Sequence, residues 1–163
     1  MVSVFICSDD SGSHHSLCCP LLQILCNPDI KPETIKLIET KGIVATIIDA
    51  MTTAAAEESE YTAAAVGMLA NLAITADARE HIGKYESSIP TLLTVLGPDN
   101  VDTCKCSLNC LKLLSTGHAD FKAKIVKLDG ITRLHDFLIL TADSALADAG
   151  LRLLAELTKN DTD

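Results

Sequence analysis

Pairs of leucines recur at a fixed interval along this sequence, and the interval limits the folds that the chain can adopt. The pairs are 42 or 43 residues apart: Leu69 and Leu72, Leu111 and Leu114, Leu154 and Leu157. Each pair ends a stretch with helical spacing of apolar residues: YTAAAVGMLANLA, CKCSLNCLKLLS and ALADAGLRLLAELT. A unit of this length is typical of helical solenoids, in which each unit buries its apolar face against its neighbours. The sequence therefore predicts an all-α solenoid.

A second apolar stretch precedes each of these long helices. Ile43, Ile89 and Ile131 open the three stretches and lie 46 and 42 residues apart. The four extra residues in the first interval fit the loop AAAEESE, where an insertion costs little conformational free energy. Each unit is thus predicted to contain a short, a medium and a long helix.

Local signals support these helix boundaries. Gly42 and Gly130 are predicted to end short helices in the left-handed conformation. Pro90 suits the first turn of a helix, where its missing N–H costs little, and GPDN at 97–100 is predicted to be a turn. The predicted N-caps are Asp143 or Ser144 for the last long helix and Asp99 or Asp102 for the one before it.

The predicted organisation is a partial or degenerate repeat at 1–32, followed by repeats at 33–77, 78–118 and 119–163 with its tail. Residues 15–27 align with the long helices, so they are predicted to be a third helix whose own first two helices are missing. Two interpretations remain open: a fragment of a longer solenoid, or a divergent small protein with a degenerate N-terminal cap. If the ends dock on missing repeats, apolar surface is expected at Leu21, Leu22 and Leu25, with self-association through the open ends.

The charge and the composition restrict the partners. The 163 residues carry a formal net charge of −9, and aromatic residues make up only 3%. Acidity without a basic stripe disfavours nucleic acid and anionic membranes as partners and leaves basic protein segments, although negative charge also simply maintains solubility. Seven cysteines, an odd number, and no recognisable secretory signal favour a reducing compartment, the cytosol or the nucleus.

Four segments carry a family resemblance. GIVATIIDAM, SIPTLLTVL and GITRLHDFL resemble the second helix of armadillo repeats, and AAAVGMLANLA is similar to the third helix. The resemblance covers residues 33–158 and implies a right-handed superhelix of about three repeats, with HEAT repeats as the nearest alternative. It also implies that the third helices line a concave groove that binds a protein or peptide.

The groove is where the resemblance suggests binding residues. In importin-α, a nuclear-import receptor of this family, asparagines grip an extended peptide beside tryptophans. Asn71 matches the asparagine position, whereas Gly67 stands where the tryptophan would be, so the groove is not importin-α-like. The predicted partner-binding residues are Glu60, Asn71, Asp102, Asn109, Asp148, Arg152 and Glu156; the alternative for each is a solvated helix face.

Metal binding and catalysis have weak support in the sequence. CKCSLNC with His118, and HHSLCC at 14–19, lack the spacing of structural zinc ligands, and no cofactor is predicted. Cys110 is expected in the core, with Cys104 and Cys106 semi-exposed. No hydrolase, phosphate-loop or metalloprotease motif is present, and His135 is expected to be partly packed, so an enzyme is not predicted.

The predicted function is a protein–protein interaction module that binds a partner segment in the groove. Two alternatives remain. The chain is also similar to short armadillo proteins that embrace a lobe of the Hsp70 chaperone and promote nucleotide release. Alternatively, it is a structural segment of a larger scaffold.

Overall fold

The structure, a computed structural model, describes residues 42–54, 59–97 and 101–159. This part of the chain is entirely helical, in agreement with the predicted all-α class, and contains no strand. Its helices are α1 (Ile43–Ala54), α2 (Ser59–Leu72), α3 (Ala76–Lys84), α4 (Ser88–Thr94), α5 (Val101–Ser115), α6 (Ala119–Lys127), α7 (Gly130–Leu140) and α8 (Ser144–Thr158). None of these helices is long and apolar enough to cross a membrane.

The three long helices form the centre of the fold. Helix α5 packs against α2 on one side and against α8 on the other, and these are the most extensive helix contacts. Each long helix also packs on the helix that precedes it in the chain: α2 on α1, α5 on α4 and α8 on α7. The arrangement repeats along the chain, so the core runs from unit to unit as one cluster of mainly Leu, Ile, Val and Ala side chains.

Polar contacts fix α5 and the first unit in place. The buried hydroxyl of Ser107 donates a hydrogen bond to the Leu92 carbonyl at 2.7 Å, which joins α5 to α4. The hydroxyl of Tyr85 donates to Asp49 Oδ1 at 3.0 Å, which links α1 to the turn after α3. Because a buried hydroxyl without a partner is costly, the Ser107 bond favours one position of α5 on α4.

The long helices follow the sequence prediction closely, whereas α4 does not. Helix α4 has 7 residues and is shorter than the 9-residue α3, so the predicted order of short, medium and long helices fails in the second unit. Pro90 lies in its first turn, as predicted. The Gly97-Pro98 pair that follows cannot continue a helix, because proline has no N–H and restricts the residue before it.

Burial corrects the register of the second helices by one residue. Helix α1 buries Val44, Ile47 and Ile48, with the same spacing as the buried Ile89, Leu92 and Leu93 of α4. Val44, one position after the predicted Ile43, therefore matches Ile89. The sequence prediction used the first isoleucine of each stretch, but the apolar face that packs inward defines the register.

The prediction for Gly130 is wrong, whereas Gly42 has the predicted positive φ of 65°. The left-handed residue is Asp129, with φ 57°, and Gly130 is the first residue of α7. An aspartate tolerates this conformation because its short polar side chain reduces the steric cost. Gly130 is required for a different reason: a Cβ there would lie 2.6 Å from the Ile125 carbonyl oxygen.

The caps and several other predictions have mixed outcomes. The Asp143 carboxylate caps α8 by accepting hydrogen bonds from the Ala145 and Leu146 N–H groups at 2.8 and 2.9 Å, as predicted. Asp102 lies inside the first turn of α5 rather than before it. The partial repeat at 1–32, the cluster at 14–19, the leucines at 21, 22 and 25, Asp99 and most of the 97–100 turn lie outside the described residues.

Candidate interaction surface

Helix α5 exposes a polar stripe in the middle of the fold. Asp102, Lys105 and Asn109 follow one another at helical spacing, and all three are exposed. Asp102 and Asn109 were predicted as binding residues, whereas Lys105 was not. Within the described part of the chain, no side-chain hydrogen bond or ion pair engages any of the three. Their polar groups are therefore available to another molecule without loss of an internal contact.

The matching positions of α8 hold an ion pair, since Asp148 aligns with Lys105 and Arg152 aligns with Asn109. Arg152 Nε donates to Asp148 Oδ2 at 2.7 Å, one helical turn apart, and both side chains are more than half exposed. Such an exposed pair contributes little to folding stability because water competes for both charges. Asp148 and Arg152 can each exchange this contact for one with a ligand. Their role in binding stays a prediction, and the exposure of both side chains is compatible with it.

On α2 the corresponding surface is smaller and flatter. Asn71 is half-buried, and Gly67, which aligns with Asn109 and Arg152, has open space where a Cβ would lie. Glu60 belongs to α2, but its side chain lies outside the described part of the structure. Because α2, α5 and α8 are the third helices of the predicted repeats, we call their exposed sides the third-helix surface. Its described charges are balanced: Asp102 and Asp148 against Lys105 and Arg152.

Glu156, predicted to face the groove, is instead buried. Glu156 is 7% exposed, and its carboxylate lies 3.5 Å from Lys122 Nζ and 2.9 Å from Lys159 Nζ. Lys122 is also buried, and its Nζ donates to the Lys159 carbonyl at 3.3 Å. The hydrogen bond from Lys159 and the charges of both lysines lower the pKa of Glu156, although burial acts in the opposite direction. The carboxylate thus joins α6 to the end of α8.

We expect Glu156→Gln to lower the free energy of unfolding at neutral pH by about 1–2 kcal/mol, less than for a fully enclosed pair because water reaches Lys159. The folded-state pKa lies below the ordinary value of 4.5, so this stabilisation is complete above pH 4.5. It is lost as the pH falls through the folded-state pKa, and wild type and variant should converge there. Urea denaturation as a function of pH measures the difference.

The control for this variant is Glu80→Gln. Glu80 forms an exposed ion pair with Lys84, so the Glu80→Gln substitution should leave the unfolding curve almost unchanged. A constant difference between Glu156→Gln and wild type down to about pH 2 would show that the carboxylate charge is not what stabilises this corner.

The thiols of α5 serve packing. Cys110 is buried, as predicted, and burial raises its pKa to about 12. Cys104 was expected to be semi-exposed but is also buried, and its Sγ donates to the Gly97 carbonyl at 2.8 Å. Cys104 precedes the buried Leu108 by four residues on the same face of α5, so helical spacing does predict its burial; the loop after α4 covers its Sγ. Cys106 is half-buried, and no group of three potential metal ligands occurs among the described residues.

His135 also differs from its prediction. Its side chain is exposed on α7 and contacts only the neighbouring Asp136 carboxylate among the described polar groups, at 3.2 Å. His135 comes directly after the buried Leu134 in α7 but is itself exposed. At the matching position of the previous unit, Leu93 is buried. A shallow cavity of about 200 Å³ lies between the end of α4 and α7, and the sequence did not predict this feature. It is lined mainly by apolar groups of Leu93, Leu96, Phe137 and Leu140.

Comparison with known proteins identifies a fold and no family. No protein-family profile matches the chain, and no curated protein matches it. Among solved structures, it is similar to the crystal structure of an engineered protein from the Northeast Structural Genomics Consortium, with a TM-score of 0.70 and 16% identity. The match covers 89% of this chain, which spans 65% of the length of that structure. At this identity the likeness shows a shared helical fold alone.

Proposed function

We propose that this chain is a protein-interaction module of armadillo-like type, which binds a segment of a partner protein along the third-helix surface. The observation that carries the proposal is the exposed stripe of Asp102, Lys105 and Asn109 on the central helix. None of the three side chains makes a hydrogen bond or ion pair within the described part of the chain, so a ligand can engage them without breaking such a contact. The stripe lies on the helix that contacts both of the other long helices, so a ligand on it reaches α2 and α8 as well.

Each side chain has a distinct role in this proposal. The Asn109 amide donates and accepts, so it can pair with a peptide bond of the ligand, and Asn71 can do the same at the edge on α2. Asp102 and Asp148 attract basic ligand residues, in keeping with the net charge of −9. Lys105 and Arg152 set the register by repelling misplaced basic residues. Glu156 is left out of the contact set because its carboxylate is already buried and paired.

The proposal includes no catalytic step, no cofactor and no binding of nucleic acid or membranes. These parts rest on the acidic composition and on the lack of catalytic motifs in the sequence. The assignment to a cytosolic or nuclear compartment rests on the cysteine content. The armadillo type rests on the second-helix and third-helix motifs, together with the side-by-side packing of α2, α5 and α8.

The test compares partners captured from a eukaryotic lysate by three immobilised proteins. They are the wild type, a stripe variant (Asp102→Lys, Lys105→Glu, Asn109→Ala) and a control variant on α7 (Arg133→Ala, His135→Ala). All of these side chains are exposed, so circular dichroism should show the same helicity and melting temperature for the three. We expect the stripe variant to lose a partner that the wild type and the control both retain. Equal retention by all three proteins would contradict binding on the third-helix surface.

A further inference from the structure

The cavity between α4 and α7 lies where the second helices of two successive units differ in length. Helix α4 ends at Thr94 after 7 residues, whereas α7 continues for 11 residues to Leu140. The last turn of α7 therefore faces the loop after α4, and residues of both line the cavity. Contacts between α4 and α7 are also sparser than those between α1 and α4.

Internal contacts hold the walls of this cavity in place. The Gly97 carbonyl accepts a hydrogen bond from Cys104 Sγ at 2.8 Å, which ties the loop after α4 to α5. The Thr141 N–H donates to the Phe137 carbonyl at 2.9 Å and closes the last turn of α7. Phe137 is buried, whereas Leu140, which also lines the cavity, is 71% exposed. An apolar group in the cavity would remove part of this leucine surface from water, which is favourable.

Two side chains of opposite charge line the same cavity. Arg133 and Asp136 lie about one turn apart on α7, and both are exposed. They do not pair with each other, and the Arg133 guanidinium has no hydrogen bond or ion pair among the described residues. Asp136 contacts His135 Nδ1 through Oδ1 at 3.2 Å, which leaves Oδ2 free within the described part of the chain. A ligand can thus use Arg133 and Asp136 Oδ2 without breaking an internal contact.

We propose that this cavity binds a free α-amino acid with a large apolar side chain, such as leucine. The ligand side chain packs between Leu93 and Phe137. Its carboxylate accepts hydrogen bonds from the Arg133 guanidinium, and its ammonium group donates to Asp136 Oδ2. The volume of about 200 Å³ is below the range of about 300–1,000 Å³ that is typical of sites for drug-sized ligands, so it suits a molecule this small.

The pair of opposite charges favours a zwitterion over the other occupants of an apolar cavity. An anion would lie beside the Asp136 carboxylate, and a cation would lie beside Arg133. An internal side chain of a partner protein would leave both charges unmatched, and the end of a partner's chain would match only one. The inference does not rest on the proposed function, because no residue of the stripe on α5 lines the cavity.

The test is an NMR titration of the full chain, labelled with ¹⁵N, with L-leucine at neutral pH. We expect saturable shift changes at the amides around the cavity, those of Gly97, Phe137 and Thr141. Arg133→Gln and Asp136→Asn keep the shape of the side chains and should each weaken binding about tenfold. The matched control is Arg152→Gln, which alters an exposed arginine on α8 and should bind L-leucine like the wild type.

The stripe variant on α5 separates this site from the proposed function. It should bind L-leucine like the wild type, whatever its effect on protein partners. Circular dichroism confirms folding of all variants, since every substituted side chain is exposed.

Three further compounds test the chemistry of the ligand. L-alanine lacks the large side chain, N-acetyl-L-leucine lacks the ammonium group, and L-leucinamide lacks the carboxylate. We expect each to bind at least about tenfold more weakly than L-leucine. Absence of saturable shifts with L-leucine, shifts at another surface, or unchanged affinity in either charge variant would overturn the proposal. Equal binding of N-acetyl-L-leucine or L-leucinamide would also overturn it and would assign the cavity to the end of a protein chain.

Discussion

Leu108→Ala should lower the free energy of unfolding by about 2–5 kcal/mol, the range for a leucine removed from a packed core. Leu108 is completely buried on α5, the helix that packs against both other long helices. Shortening it removes apolar contacts and leaves a cavity that the surrounding helices cannot fill without moving apart. The loss therefore affects the junction between units rather than one unit alone.

The matched control is Leu151→Ala, because Leu151 occupies the same repeat position on α8 but is 58% exposed. Its free energy of unfolding should change by no more than about 0.5 kcal/mol at a protein concentration too low for association. Urea denaturation monitored by circular dichroism measures both variants. If Leu108→Ala prevents folding, Leu108→Met should fold with a loss below about 1.5 kcal/mol. Equal losses for Leu108→Ala and Leu151→Ala would contradict the packing of α8 on α5.

Gly130→Ala should destabilise the protein by about 1–3 kcal/mol, although alanine is the better helix former. A Cβ at this position would lie 2.6 Å from both the Ile125 carbonyl oxygen and its Cγ2. The carbonyl belongs to the backbone of α6, so relief requires α6 and α7 to move apart. The close approach of these two helices, rather than a left-handed backbone, accounts for the glycine.

Gly67→Ala is the control for this glycine. It lies inside α2, and nothing is within 4 Å of its added Cβ. Here alanine should stabilise the protein by about 0.5–1 kcal/mol, since it restricts the unfolded chain and has the higher helix propensity. Thermal unfolding of both variants gives the comparison. A stabilising Gly130→Ala would contradict the junction between α6 and α7.

The long helices were predictable because their signals are local. Apolar residues at helical spacing define α2, α5 and α8, and Asp143 supplies a cap that needs only its own neighbours. The second helices were less predictable, because the apolar residues of α1 allow two registers one residue apart. The burial of Val44, Ile47 and Ile48 gives α1 the register that matches α4, and this is a tertiary choice.

The failed predictions concern residues whose surroundings come from elsewhere in the chain. Glu156 is buried because Lys122, on another helix, supplies a charge beside it. One feature of the sequence does indicate the burial of Glu156: the matching position of α5 is occupied by an apolar residue, Leu113.

Cys104 is the exception, because Leu108 and Leu111 follow it at i+4 and i+7 on the same face of α5, and this spacing predicts its burial. His135 is exposed where the previous unit carries the buried Leu93, so its exposure does not follow from the repeat pattern.

The exposed stripe on α5 was only partly predicted. The resemblance to armadillo proteins selected Asn109 and Asp102, but it omitted Lys105, which lies between them on the same face. Helical spacing from Asp102 would have found it, at i+3. The availability of all three side chains could not be inferred from the sequence, because it depends on which charges the neighbouring helices place within reach.

The most direct test of the proposed function is site-specific photo-crosslinking in a eukaryotic lysate. A photo-reactive amino acid at Thr116, which is exposed just after α5, leaves the stripe of Asp102, Lys105 and Asn109 intact. The same group at His135, exposed on α7, serves as the control. Binding on the third-helix surface predicts a protein crosslinked from position 116 and not from position 135, and lost in the stripe variant. A partner that crosslinks from position 135, or that co-purifies without crosslinking from position 116, would contradict it.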